Sequence, residues 1–316
     1  MLMKEPKPPL VSIVAACFNH AAFLEETLDS IAAQDYPHLE LIITDDGSKD
    51  NSVDLIKQWM AKATIPTTLI ANAQNLGICQ TFNKGLAASQ GHYFQVIACD
   101  DVMLPHKIST QVAALEAAAE QVVLVHTDAL VLDKNSKLLH DSFHKFWNLK
   151  PIQGKNLLEQ LVVQNSILAP SILMKKQALL DLGGYDENLC YEDWDAWLRL
   201  AAAGYEFLFL EEPLVYYRHF PSSNSQTSDF QLKMAKDSIV LLDKHQGKSK
   251  ELDQKIAEAQ RPSITLLVEN DEVDRGILWK KLAYEKSAYS LFLWLTALLG
   301  MQPSQAHALK DKLKRK

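Results

Sequence analysis

Leu10-Val11-Ser12-Ile13-Val14-Ala15-Ala16, followed by Cys17-Phe18-Asn19, is a short and almost wholly apolar run that ends on polar residues. A strand with one wet face alternates, whereas an unbroken run suits a strand covered on both faces, as in a parallel sheet. Immediately downstream, Phe23, Leu24, Thr27, Leu28 and Ile31 fall on one helical face, with Glu25, Glu26 and Asp29 on the other. The cycle then repeats. The pattern predicts a strand over 39–44, a helix over 51–62 opened by the cap-rich run from Asp46 to Ser52, a strand over 67–71, a helix over 78–89 and a strand over 92–98. Four βα cycles in so short a span predict an α/β fold: an open, mostly parallel sheet flanked by helices.

Farther along, the pattern predicts a helix over 110–120, strands over 122–125 and 130–132, and loops over the polar stretch 134–155. A strand over 171–175 follows, then a helix over 176–182 ended by Gly183-Gly184, a helix over 193–203 stopped by Gly204, and a strand over 213–217. Beyond about residue 225 the sequence reads as wholly helical. The expected division is a catalytic domain over 1–225, with a nucleotide-sugar half at about 9–105 and an acceptor half at about 106–225, and a helical extension over 226–316.

Composition narrows the function. The 316 residues are 47% hydrophobic and 22% charged, which excludes disorder and fibrous repeats. Thirty-two Lys and Arg against 39 Asp and Glu leave a net charge of −7, so the chain has no overall basic field for nucleic acid. Cys17, Cys79, Cys99 and Cys190 form no CxxC pair, which argues against a disulfide framework or zinc knuckle and for a reducing, cytoplasmic setting. The segment Met1 to Pro9 lacks the order of a signal peptide, and the uncharged stretch 287–301 is shorter than the ~20 residues a membrane-spanning helix needs.

In an open parallel sheet, ligands bind at the carboxyl ends of the strands. Three polar clusters fall there: Cys17-Phe18-Asn19, Asp45-Asp46 with Asp50, and Asp100-Asp101 ahead of Pro105. The middle cluster also suits ordinary turn chemistry. Asp100 and Asp101 repel each other unless bridged or well solvated, and a hard divalent cation holding a substrate's phosphates would bridge them.

These segments add up to a resemblance. Val11 to Asn19, Leu39 to Ser52, Asn75 to Gly85, Ala98 to Pro105, Gly183 to Gly204 and Tyr216 to Ser225 together resemble a family 2 glycosyltransferase of the GT-A fold, over roughly residues 9–225. The resemblance implies inverting transfer of a sugar from a nucleoside-diphosphate donor, UDP- or dTDP-linked, to an acceptor hydroxyl, with Mg or Mn on the diphosphate. It places Ala15, Cys17, Phe18, Asn19, Asp45, Asn83 and Asp100 at the nucleotide, with Asp45 on the base and Asp100 on the ribose or the metal. It places Asp101 and His219 at the metal, and Gly184, Glu192, Trp194 and Arg218 at the donor or acceptor. Asp193 becomes the base that deprotonates the acceptor, a task every inverting transferase needs done. Three positions depart from the family pattern: Phe18 lacks a tyrosine hydroxyl, Ala98 replaces an earlier aspartate, and Phe82 replaces an arginine. These departures motivate an alternative, a degenerate nucleotide-sugar-binding or scaffold protein. A nucleotidyltransferase is disfavoured, because no Gly-rich phosphate loop follows the first strand.

The implied acceptor is a glycan or lipid-linked intermediate of cell-surface polysaccharide, lipopolysaccharide included. In the C-terminal region, Tyr289, Leu291 to Leu295, Leu298 and Leu299 form an apolar block ahead of a basic end. It reads either as a helix docking peripherally on the inner membrane leaflet, or as one packed on the catalytic domain or on a homodimer partner.

Overall fold

The computed structural model describes residues 7–220, 228–285 and 287–314. Met1 to Pro6, the expected boundary near 225, the end of the Tyr216 to Ser225 segment, and Arg315-Lys316 lie outside the described residues. The chain groups into two units, Met1–Leu161 with Asn165–Phe220, and Val162–Gln164 with Pro221–Lys316.

In the first unit, β1 (Val11–Cys17), α1 (Leu24–Ala32), β2 (Leu39–Asp45), α2 (Ser52–Met60), β3 (Thr67–Ala71), α3 (Ile78–Ala88) and β4 (Tyr93–Ala98) alternate as the apolar runs require. Every residue of β1 is buried. Next come β5 (Val102–Met103), α4 (Lys107–Ala117), β6 (Val122–Leu132), β7 (Leu138–His140), α5 (Phe143–Phe146) and α6 (Leu157–Val163). A 3-10 turn over Ala169–Ser171 leads into β8 (Leu173–Lys175), α7 (Lys176–Asp181), α8 (Glu192–Ala202) and β9 (Glu206–Arg218). Among the described residues the strands form one sheet of order β3-β2-β1-β4-β8-β6-β9-β5, with β7 paired to β6. Strands β1 to β4 pair in parallel, whereas β8 runs antiparallel to both β4 and β6. A Cβ on Gly85 would stand 2.3 Å from Val14 Cγ1, so a glycine is what lets α3 lie this close to β1.

Two expectations change here. The strands read separately at 122–125 and 130–132 are one strand, because His126-Thr127-Asp128 between them are buried polar residues with partners. His126 Nε2 donates to the Ile152 carbonyl at 2.8 Å. Asp128 accepts from Ser142 Oγ at 2.5 Å, Phe143 N at 3.0 Å and His144 Nδ1 at 2.9 Å; burial raises its carboxyl, but the bonds from His144 and Ser142 outweigh it and hold the carboxyl down at about 2. The same bonds pin α5, so the stretch 134–155 carries β7 and α5 within what read as loop. Strand β9 also begins seven residues before the expected 213, and its Pro213 lies where the register with β6 slips, a position that tolerates a missing N–H.

The second unit is helical: α9 (Ser228–Asp243), α10 (Lys250–Glu269), α11 (Arg275–Glu285), α12 (Ala288–Leu298) and α13 (Pro303–Lys314). Ser249 caps α10 and Ser287 caps α12 through their hydroxyls. Ile239, Ile264 and Leu267 form one small core, and Leu278, Leu293, Ala297 and Ala306 another. The apolar block is therefore buried on one side only: Leu293 and Ala297 are inside, while Leu291, Leu295 and Leu298 are exposed.

Candidate active site

The loops after β1 and β2 are zipped together. Asn19, at φ 58°, donates from its backbone N–H to Ser48 Oγ (2.9 Å) and accepts from the Lys49 N–H (2.7 Å). Asparagine tolerates that left-handed conformation. Asp45 is 1% exposed, and its carboxylate accepts from Gly47 N (3.1 Å), Ser48 N (3.0 Å) and Ser48 Oγ (2.5 Å), leaving one lone-pair position on Oδ2. Asp46 accepts from Asn72 Nδ2 (3.0 Å), Leu76 N (2.8 Å) and Gly77 N (3.0 Å), and so ties β2 to the start of α3. Ala15 and Cys17, expected at the nucleotide, have side chains buried in the main core, while Phe18 is part-exposed beyond them. Asn83, also expected there, spends its amide on another loop: Nδ2 donates to the Tyr185 carbonyl and to Glu187 Oε1, both at 2.9 Å, and Oδ1 accepts from Tyr185 N at 2.9 Å.

Asp100 and Asp101 lie just past β4. Asp101 is 4% exposed, and its Oδ1 accepts from the backbone N–H of Arg218 at 2.9 Å. Burial first, and the Asp100 charge second, push its carboxyl well above the carboxylate range; burial raises Asp100 as well. His20 Nε2 stands 3.7 Å from Asp100 Oδ2, and its buried Nδ1 has no hydrogen-bond partner among the described residues. The sequence offered no sign that His20 belongs here.

Arg218 differs from expectation. Its guanidinium is buried and donates to the Asp100 carbonyl (2.8 Å), the Asp133 carbonyl (3.2 Å), Ser136 Oγ (2.8 Å) and Glu26 Oε2 (2.7 Å), with the Phe23 ring centroid 4.7 Å away. Four of its five N–H donors are thus taken by protein, and the side chain is a strut between α1, β4 and β9 rather than an arm for a substrate. His219 bonds through its backbone N–H to the Leu132 carbonyl at 2.8 Å, and its ring packs 5.3 Å from Trp147 and 6.1 Å from Phe146.

Among the described residues no group of three or more His, Cys, Asp or Glu gathers to cage a metal. Asp100 and Asp101 still fit a hard divalent cation. They supply oxygen donors whose burial and mutual repulsion a cation would offset, and the remaining coordination positions would fall to diphosphate oxygens and water. The donor set suits an ion shared with a substrate, not an all-protein site.

A second acidic pair opens α8. Asp193 Oδ2 accepts from Asn165 Nδ2 at 2.8 Å and Oδ1 from the Trp194 N–H at 2.5 Å. Burial raises the Asp193 carboxyl, and burial together with Asp193 pushes Glu192 up to about 8. The Trp194 indole donates to the Leu161 carbonyl at 2.7 Å and meets Tyr191 edge-on at 5.4 Å, whereas Trp197 is wholly buried in the core. Asp195 pairs with Arg199 Nε at 2.6 Å, and Arg199 reaches the Leu182 and Gly184 carbonyls at 3.1 and 2.8 Å, clamping the glycine loop. Gly184 has φ 80°, and a Cβ there would stand 2.7 Å from Asn83 Oδ1, so this approach excludes any other residue.

Tyr217 relates the two pairs. Its phenol is pushed upward by burial, then by Asp101, Asp100 and Asp193 in that order, so all three carboxylates act on one side chain. Neither Tyr217 nor Asn165 falls in one of the polar clusters at the strand ends. Period-2 alternation along β9, which puts Tyr217 on the side of the sheet opposite the buried Arg218, was the available signal for the tyrosine; for Asn165 there was none.

The sheet order and the strand-end carboxylates define a GT-A architecture, and solved structures share it. The mannosyltransferase PcManGT from Pyrobaculum calidifontis, in complex with GDP-Man and Mn2+, superposes with a TM-score of 0.60 at 18% identity, covering 98% of this chain and 88% of that one. S. aureus TarS in complex with UDP-GlcNAc gives 0.61 at 16% identity, over 86% and 83%. The sequence profile of glycosyl transferase family 2 matches residues 12–181. An uncharacterized glycosyltransferase of Rickettsia typhi is 28% identical over 299 residues, 91% of this chain and 85% of the relative. The chain belongs to glycosyl transferase family 2 and is a GT-A glycosyltransferase.

Proposed function

We propose that the protein transfers a sugar, with inversion, from a UDP- or dTDP-linked donor to a hydroxyl of a glycan or lipid-linked acceptor in cell-surface polysaccharide synthesis. One observation supports this reading above the others: Asp101 and Asp100 of the first pair and Asp193 of the second all push the Tyr217 phenol upward, which puts a proton acceptor and a candidate cation site within electrostatic reach of one side chain. A hydroxyl is a poor nucleophile until a base takes its proton. At neutral pH Glu192, at about 8, holds a proton, while Asn165 and the Trp194 N–H favour the ionised form of Asp193. Asp193 is then the member of the pair free to accept the hydroxyl proton.

Asp101, with Asp100, would hold Mg or Mn, which when bound supplies Lewis-acid stabilisation of the departing diphosphate. Arg218 fixes the geometry of that pair from behind, through its backbone N–H to Asp101 and its side chain to the Asp100 carbonyl. Phe18, part-exposed past the end of β1, offers a ring face for the base. A lipid-linked acceptor would set the reaction at the cytoplasmic face of a membrane, with the C-terminal helices as the peripheral contact.

A thermal-shift panel of UDP, dTDP, GDP, CDP and ADP, each with and without Mn, tests the donor reading. Ligand at 100 times its Kd adds ~2.7 kcal/mol of stability, and each kcal/mol moves Tm by about 2–4 °C at this size. A Mn-dependent rise with UDP or dTDP is expected. No rise with any nucleotide would instead favour a degenerate scaffold, the reading that Ala98, Phe18 and Phe82 motivate.

A further inference from the structure

We propose that the C-terminal helical unit docks on an anionic lipid surface through one face of α12. The inference rests on the membrane-facing part of the reading above and names the surface and the lipid chemistry.

Helix α12 carries no charged residue over Ala288–Leu298, and its two faces part cleanly. Ser290, Leu293, Thr296 and Ala297 point into the unit. On the other side Leu291, Leu295 and Leu298 are 44%, 48% and 44% exposed, and Leu299 just beyond is 80% exposed. Steps of four and three residues keep these leucines in one line. Trp279 of α11 extends the surface: it is 54% exposed, and its ring lies 5.3 Å from that of Trp294. Single exposed leucines need no explanation, but a leucine line joined to an exposed tryptophan on neighbouring helices is a contiguous apolar surface.

Charge decides what covers it. Residues 275–316 hold nine Lys or Arg against two Asp or Glu, a net +7, so the chain's −7 leaves −14 on residues 1–274. In sequence the basic residues fall on either side of the apolar line, at 275–286 and 310–316, and none interrupts it. Lys310 of α13, for example, sets its ammonium 3.9 Å from the centre of the Tyr289 ring, at the start of α12. The whole unit, with 16 Lys or Arg against 12 Asp or Glu over residues 221–316, is net +4, so a second copy would bring like charge against like, whereas anionic headgroups supply the opposite sign, with each nearby cation adding to the attraction. Among the described residues no helix is long and apolar enough to cross a membrane. With eleven residues and an apolar side, α12 instead suits lying in the plane of the headgroups.

The test sediments the full-length protein with phosphatidylcholine vesicles and with mixed phosphatidylcholine–phosphatidylglycerol vesicles. Binding is expected to the mixed vesicles, weak to the neutral ones, and lost at high salt. The double variant Leu295→Glu, Leu299→Glu is expected to cut binding to mixed vesicles by about tenfold or more, with an unchanged circular-dichroism melt because both side chains are exposed. Equal binding of the variant, equal binding to neutral vesicles, or a self-association in light scattering that this variant abolishes would each overturn the proposal. The nucleotide thermal shift, read on the same preparation, fails or succeeds separately. Vesicle binding without it would sink the donor reading alone, and the reverse would sink the docking alone.

Discussion

Asp100-Asp101 and Glu192-Asp193 are both neighbouring acids whose carboxyls burial pushes upward, yet the fold equips them differently. The first pair is braced from behind by Arg218 and flanked by His20, and a cation able to meet both carboxylates at once would offset their repulsion. The second pair relieves its repulsion with a proton: Glu192 keeps one up to about pH 8, and Asn165 steadies the ionised partner. On the proposed function, two solutions to one electrostatic problem would give two chemistries, a site for a cation and a site for a proton in transfer.

Asp193→Asn breaks the comparison most severely. Removing a general base costs about 10²–10⁴ in turnover, so kcat in a donor-hydrolysis or transfer assay should fall by about a thousandfold. The nucleotide-dependent thermal shift should stay, because that side chain lies in the other pair. Unchanged turnover would remove Asp193 from the chemistry.

Asp101→Asn should do the reverse to binding. The Mn-dependent part of the UDP shift, of the order of 5–10 °C at saturation, should vanish. The stability of the ligand-free protein should hold or rise at neutral pH. The sign follows from the raised carboxyl: a group held above its unfolded value stabilises the fold below that value and costs stability as pH rises, so a neutral replacement removes a cost. A ligand-free protein that melts several degrees lower would mean that the pair needs no cation.

The first of these pairs was far easier to find in the sequence than the groups that make it work. Strands β1, β2 and β4 are buried almost throughout, so Leu10 to Ala16 and its counterparts carry nearly unbroken apolar runs, and the carboxylates after them mark the sheet's mouth. The second half of the sheet hides because β6 holds His126, Thr127 and Asp128 in its interior, and the partners of His126 and Asp128 lie some 14 to 26 residues away. Arg218 reads as a substrate contact from its motif, yet Glu26, 192 residues distant, takes part of its guanidinium. Asn165 sits in a stretch with no pattern at all. Local periodicity reports burial; it is silent about which distant acceptor a buried donor will meet.

Asn165→Ala sharpens the contrast more gently. A hydrogen bond to a charged group is worth ~1.5–3 kcal/mol, so kcat/KM at neutral pH should drop by about tenfold or somewhat more. Because that bond favours the ionised form of Asp193, its loss should also move the acidic limb of the pH profile to higher pH. A fall in rate with no movement of the limb would make Asn165 a packing residue only.

Glu192→Gln is the mildest variant and discriminates best. In the wild type, two carboxyls that feel each other's charge release their protons in two steps that belong to the pair, and the later step lies near pH 8. Above that pH the ionised Glu192 makes Asp193 more basic; below it, Glu192 is neutral and Asp193 acts alone. The profile of kcat/KM should therefore bend near pH 8. Glutamine keeps the size of the side chain but is neutral at every pH, so the bend should disappear while the rate at pH 7 changes by about threefold or less, under 1 kcal/mol. If the bend persists in the variant, the proton released near pH 8 belongs to another group, and the second pair is no longer the counterpart of the first.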